Sequence, residues 1–178
     1  MTDRSFQRAN DESRERLTRL VATLTPAQLA TDLGEGWTVA SALAHAGFWD
    51  RWQAERWSEV LAGQWSAADE SVLAVEHLAN EALHPYWAGI AADDIPALAL
   101  EAAARLDALI VQAPDALVDS IEGGPSAYLL HRHRHRDEHL DHIERVLAAS
   151  RQTASAPADR SYLGRNEASL IRLTEVAG

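Results

Sequence analysis

Apolar residues recur at spacings of three and four along most of the chain, and no sustained run alternates with period two. That pattern demands helices and leaves little to build a sheet from. Residues 5–24 place Phe6, Leu17, Leu20, Val21 and Leu24 on one helical face, and Thr25-Pro26 stops the run and opens a short helical turn, PAQLA. Gly34 and Gly36 then punctuate a loop, Thr38 offers an N-cap, and a second helix is predicted from about Val39 to Leu61, closed by Gly63. A less regular segment, 64–95, carries a predicted helix from about Asp69 to Ile90 that His84-Pro85 should kink or break. Asp93-Asp94-Ile95-Pro96 starts another helix, which runs to about Gln112 with Leu98, Ala102, Leu106, Leu109 and Ile110 as its stripe. After the Glu122-Gly123-Gly124-Pro125 turn, a last long helix is predicted over about Ser126 to Ala149. The expectation is an all-α four-helix bundle over residues 1–150, with 151–178 as a C-terminal tail that docks on its own chain or swaps onto a neighbour.

Composition narrows the chemistry. With no cysteine, the 178-residue chain has no disulfide, no thiolate nucleophile and no Cys-containing zinc pattern. All 16 basic residues are Arg, so Schiff-base and Walker-type lysines are excluded as well. A formal charge of −11 argues against nucleic acid as a partner. The polar start MTDRSFQRANDESRERL lacks a signal-peptide core, and ALALEAAARLDALIV is too short and too charged to span a bilayer. The expected setting is cytoplasmic, without a membrane partner.

Five of the eight histidines crowd into the last helix, in LLHRHRHRDEHLDHIERVL. At about 100° per residue, His131, His135, His139 and His142 share a sector and His133 points away. His139 lies nearest the buried direction set by Tyr128, Ile143, Val146 and Leu147, and His135 comes next. Imidazoles one turn apart can share a metal ion, and His45, among Leu43, Trp49 and Trp52 on the second helix, is the candidate third ligand. Three neutral nitrogens leave coordination positions open for water or substrate, the arrangement of catalytic rather than structural sites. The competing interpretation makes these histidines core or surface residues. His77, His84 and His133 are assigned to surface or loop, and the six tryptophans to core and pocket wall.

Arg132 and Arg136 both project toward the buried side of that helix, where a guanidinium needs a partner. An ion pair with Glu55, Asp50 or another acid is the default. The alternative for Arg132 is a substrate carboxylate, with Trp49 and Trp52 as further substrate-binding candidates. Asp137, Glu138 and Asp141 are placed to orient an imidazole or simply to face water.

GEGWTVASALAHAGFWDRW followed much later by HRDEHLDHIE resembles the DinB-like metal-binding bundles, and within them the branch containing the N-terminal domain of mycothiol-dependent maleylpyruvate isomerases. The likeness covers roughly residues 5–149. It implies an up-down-down-up path with a long crossover between the second and third bundle helices, which residues 64–95 would supply. It also implies three histidine ligands, matching His45, His135 and His139, for a divalent metal such as Zn, Ni, Fe or Co. Homodimers, a small-molecule substrate and a low-molecular-weight thiol such as mycothiol follow from the same resemblance. The isomerases carry a further C-terminal domain where this chain has only a tail, so the implied activity is a thiol-dependent transferase or isomerase of unspecified substrate. A metal-dependent hydrolase and a non-enzymatic, stress-related metal- or ligand-binding bundle are the alternatives.

Overall fold

The computed structural model describes residues 1–64 and 71–155. In chain order they form α1 (Ser5–Val21), α2 (Pro26–Leu29), β1 (Asp32–Gly34), β2 (Trp37–Thr38), α3 (Val39–Leu61), α4 (Ser71–Ala88), α5 (Ile95–Val111), α6 (Asp115–Glu122), a 3-10 turn (Pro125–Leu129) and α7 (Arg132–Ser155). The chain divides into two compact units, Met1–Leu147 and Ala148–Gly178. Of the second, the described part is the end of α7, which carries helix five residues into the segment read as a tail; residues 156–178 lie outside the described ones. Helix dominates, as the periodicity requires. No described helix is long and apolar enough to cross a membrane.

The helix that starts at Val39 begins where its cap dictates. Thr38 Oγ1 accepts from the Ser41 amide at 3.1 Å and Ser41 Oγ accepts from the Thr38 amide at 2.8 Å, satisfying two end groups reciprocally. Thr25 and Gln28 close the same kind of box on α2. Between these helices the structure corrects the strand-free expectation: Asp32–Gly34 pairs antiparallel with Trp37–Thr38. Strands of two and three residues are too short to show alternation. Their sequence signal is the turn itself, where Gly34, Glu35 and Gly36 take φ of 95°, 53° and 81°. Gly serves such a turn at little steric cost, whereas Glu35 is in a conformation that L side chains rarely adopt.

Two further boundaries moved. Pro85 does not break α4: it lies inside the helix, which runs on to Ala88. The last helix starts at Arg132 rather than near Ser126. Gly124-Pro125 opens a 3-10 turn that buries Leu129 and Leu130 before the α-helix begins. The eight-residue α6 was not expected; Val118 and Ile121 bury one of its faces.

Helices α1, α3, α5 and α7 meet around two apolar clusters, the first of which also takes Trp87 from α4. One gathers Leu17, Val39, Leu43, Ile95, Leu140 and Ile143; the other gathers Phe6, Trp57, Leu106, Ile110, Leu129 and Leu130. Helix α3 packs most extensively on α5. The approach is close at Gly47, where a Cβ would fall 2.9 Å from the Ala99 Cα. A polar layer separates the clusters. Asn10 and Ser13 of α1, Asp50 and Gln53 of α3, Asp107 of α5, and Arg132 and Arg136 of α7 are all buried there.

That layer is an ionic lattice with balanced charge. Arg136 Nη1 and Nη2 donate to the two Asp107 oxygens at 3.0 and 2.8 Å, and its Nε donates to Asp50 Oδ2 at 2.5 Å. Arg132 Nε and Nη2 donate to Asp50 Oδ1 at 3.2 and 3.1 Å. Arg14, partly exposed, reaches Asp107 from α1 at 3.0 Å. Ser13 Oγ donates to Asp137 and Asn10 Nδ2 to the Leu130 carbonyl, each at 2.8 Å. Burial raises the Asp107 carboxyl above its ordinary value, while Arg136 and Arg14 pull it back down. Two carboxylates and two guanidinium groups thus tie α7 to α3 and α5 at one fixed register.

Candidate metal centre

That register places the histidines. On α7, His135 sits between Arg132 and Arg136, and His139 follows one turn later. On α3, His45 precedes Asp50 by five residues and is 7% exposed. Helix α3 therefore brings His45 to α7 through the same pairing that anchors Asp50. One ligand atom from each of His45, His135 and His139 lies within 4.8 Å of the others. The His45 ring centroid is 4.8 Å from that of His139 and 5.4 Å from that of His135. His135 Nε2 and His139 Nε2 are 3.3 Å apart.

These residues fit a divalent ion on three counts. Nitrogens each about 2.0–2.1 Å from a tetrahedral ion are about 3.3–3.4 Å apart, the separation found for the α7 pair. His45 Nδ1 is buried with no hydrogen-bond partner among the described residues, a costly state that a ligand or ion relieves. All three imidazoles favour their neutral, lone-pair-bearing form. Burial, reinforced by His139 and His84, lowers His45 to about 3. Burial, reinforced by Arg132, lowers His135 to about 2. Burial lowers His139 too. Neutral imidazole is the ligating species.

In the metal-free protein those shifts give stability a definite pH dependence. Unfolded imidazole protonates near 6.5, whereas folded His45 and His135 hold out to about 3 and about 2. The unfolded chain therefore binds more protons below about pH 6.5. Stability is at its full value above that pH and drains away as the pH falls, by about 1.4 kcal/mol per pH unit for each of the two groups. Urea midpoints should drop from about pH 6.5 downward, and more shallowly in His135→Leu, which shares every carboxylate with the wild type. Parallel slopes in the two proteins would contradict this.

Aromatic rings enclose the cluster. Trp37 and Trp87 meet the His45 ring edge-on at 5.4 and 4.6 Å between centroids, and His84 packs against Trp37 at 4.3 Å. One side stays open as a cavity of about 430 Å³ lined by Leu33, Gly34, Glu35, Trp37, Ala42, His45, His139 and His142. The hairpin thus forms one wall of the opening, and His139 and His142 of α7 another.

The remaining candidates are distributed differently. Arg132 is buried against Asp50, as the default interpretation had it, while Glu55 pairs with Arg105 on the surface. Arg132 Nη2 also lies 3.4 Å from His135 Nδ1, so its guanidinium is held between carboxylate and imidazole and does not line the cavity. A ligating imidazole more often turns its outer N–H to an acceptor, so metal loading is expected to shift Arg132. Trp49 lies 6.4 Å from His45 and donates Nε1–H to Asn80 Oδ1, and Trp52, 44% exposed, packs on Phe48 and Trp49; neither lines the cavity. Asp137 and Asp141 pair with Arg16. His131 pairs with Glu122, and His133 meets Asn10. The side chains of Trp65 and His77 lie outside the described residues. The assignment of Trp37 to the pocket wall agrees with the cavity lining; sequence reasoning missed Glu35, and it placed at the surface or in a loop His84, which is half-buried in α4 against Trp37. The flanking glycines around Glu35 and Trp37 were the available signal. No protein-family model, curated protein or solved structure matches the chain.

Proposed function

We propose that the protein is a DinB-like four-helix bundle, formed by α1, α3, α5 and α7, in which His45, His135 and His139 hold one divalent ion for thiol-dependent transfer or isomerisation of a small molecule. The observation that carries this is the convergence of three neutral imidazoles from two helices, two of which, His45 and His139, line an open cavity. Zn, Ni, Fe and Co all suit a three-imidazole donor set with space for a further ligand. Such an ion would favour the thiolate form of a thiol bound to it, by lowering that thiol's pKa. The chain has no cysteine, so the thiol belongs to a small-molecule cofactor. The protein's own part is to present three lone pairs, keep them unprotonated by burial, and restrict water with Trp37 and Trp87 on one flank. The ionic lattice holds α3 and α7 in the relation that this requires. A homodimeric, cytoplasmic protein is part of the same proposal.

Cobalt-loaded protein titrated with a small thiol tests it. A sulfur-to-cobalt charge-transfer band should appear in the wild type and be absent from His139→Ala. Conjugation of the thiol to an electrophile should then depend on the metal. Cobalt uptake with no band for any thiol would refute the thiol-dependent reading and leave a metal-binding bundle.

A further inference from the structure

The cavity lined by His45, His139 and His142 carries one charged side chain besides its imidazoles. Among the described residues that line it, Glu35 is the only acid, and there is no Arg. Its carboxylate has no hydrogen bond or ion pair among the described residues, so no protein cation neutralises it there. The position is also conformationally unusual. Glu35 takes φ of 53° between Gly34 and Gly36, where glycine or asparagine would sit at lower cost. A charged residue kept in a disfavoured conformation at the lip of a cavity points to a role for its side chain rather than its backbone. Trp37, from the next strand, adds an apolar surface to the same cavity. The chain as a whole, at −11, draws cations and repels anions.

From these features we infer that the cavity selects ligands bearing a cationic nitrogen, which pairs with Glu35 while the other end of the molecule faces His45 and His139. This rests on the metal-site reading and adds to it the charge of the ligand. A divalent ion on neutral imidazoles favours an anionic donor, so the best ligand carries a donor head, an apolar body against Leu33, Trp37 and Ala42, and an amine at the hairpin end. A carboxylate-bearing ligand of equal length is disfavoured, because it would meet Glu35 and no arginine.

The test uses the full chain loaded with cobalt, whose uptake is measured first. Affinities are then taken for cysteamine and 3-mercaptopropionate, and for histamine and imidazole-4-acetate, so that charge preference is read with or without thiol coordination. The amine-to-carboxylate affinity ratio in the wild type should exceed that in Glu35→Gln by about tenfold, since the variant removes an attraction and a repulsion together. Glu35→Gly should show the same loss of preference while unfolding at no lower urea concentration than the wild type, because glycine suits that backbone. Equal ratios in the wild type and Glu35→Gln would overturn the inference and leave the metal-site reading intact. Failure to take up cobalt would overturn both.

Discussion

Asp50→Ala is expected to lower the stability of the protein by about 3–5 kcal/mol, the cost of removing one partner from a buried ion pair. Asp50 is buried and accepts from both Arg132 and Arg136, and the mutation leaves Arg132 with no carboxylate partner among the described residues. Domains of this size are stable by about 5–15 kcal/mol, so the loss is a large share of the total. The control is Arg105→Ala, which breaks the exposed pair with Glu55 and should cost about 1 kcal/mol or less. Urea unfolding separates the two: the midpoint should fall far more for Asp50→Ala, with an unchanged slope. Similar midpoints for both variants would mean that the lattice contributes no more than a surface pair. Loosening Asp50 also frees α7 to shift against α3, and metal affinity should weaken by about 10–100-fold, as it does when groups that orient ligands are lost.

The second large effect concerns the ligands themselves. An ion bound only by the folded state stabilises it by about 2.7 kcal/mol at a free concentration one hundred times the dissociation constant. Divalent metal should therefore raise the unfolding midpoint of the wild type and leave that of His139→Ala nearly unchanged. The size of the contrast follows from geometry. With His139 removed, His45 and His135 remain with ring centroids 5.4 Å apart, and the 3.3 Å pair on α7 is gone. Two imidazoles on different helices hold a divalent ion far more weakly than three. A variant stabilised by metal as much as the wild type would show that the ion binds elsewhere.

Much of this arrangement was legible in the residues. Helix α3 runs over the predicted residues because Thr38 and Gly63 are unambiguous end signals, and the α7 pair with His45 followed from helical angles and one facing helix. That Arg132 has a buried acidic partner followed from the rule that buried guanidinium groups need partners; the choice of Asp50 over Glu55 did not. The rest had physical reasons to stay hidden. The apolar residues Tyr128, Leu129 and Leu130 continued the helical period through what is a 3-10 turn, which pulled the predicted start of α7 six residues too early. Helix α6 is eight residues long, so a short stripe was all the signal it could give. The hairpin was concealed because two paired residues cannot alternate, and with it went the pocket role of Glu35. Arg136 with Asp107 required knowing how α5 is rotated against α7, which no single segment encodes.

The most direct measurement is the metal content of the purified full-length protein, wild type beside His139→Ala, before and after incubation with zinc or nickel. The account predicts about one equivalent of divalent metal in the wild type and essentially none in the variant. Wild-type protein that is metal-free and takes up neither ion would contradict it, and the three histidines would then be packing residues of an ordinary helical core.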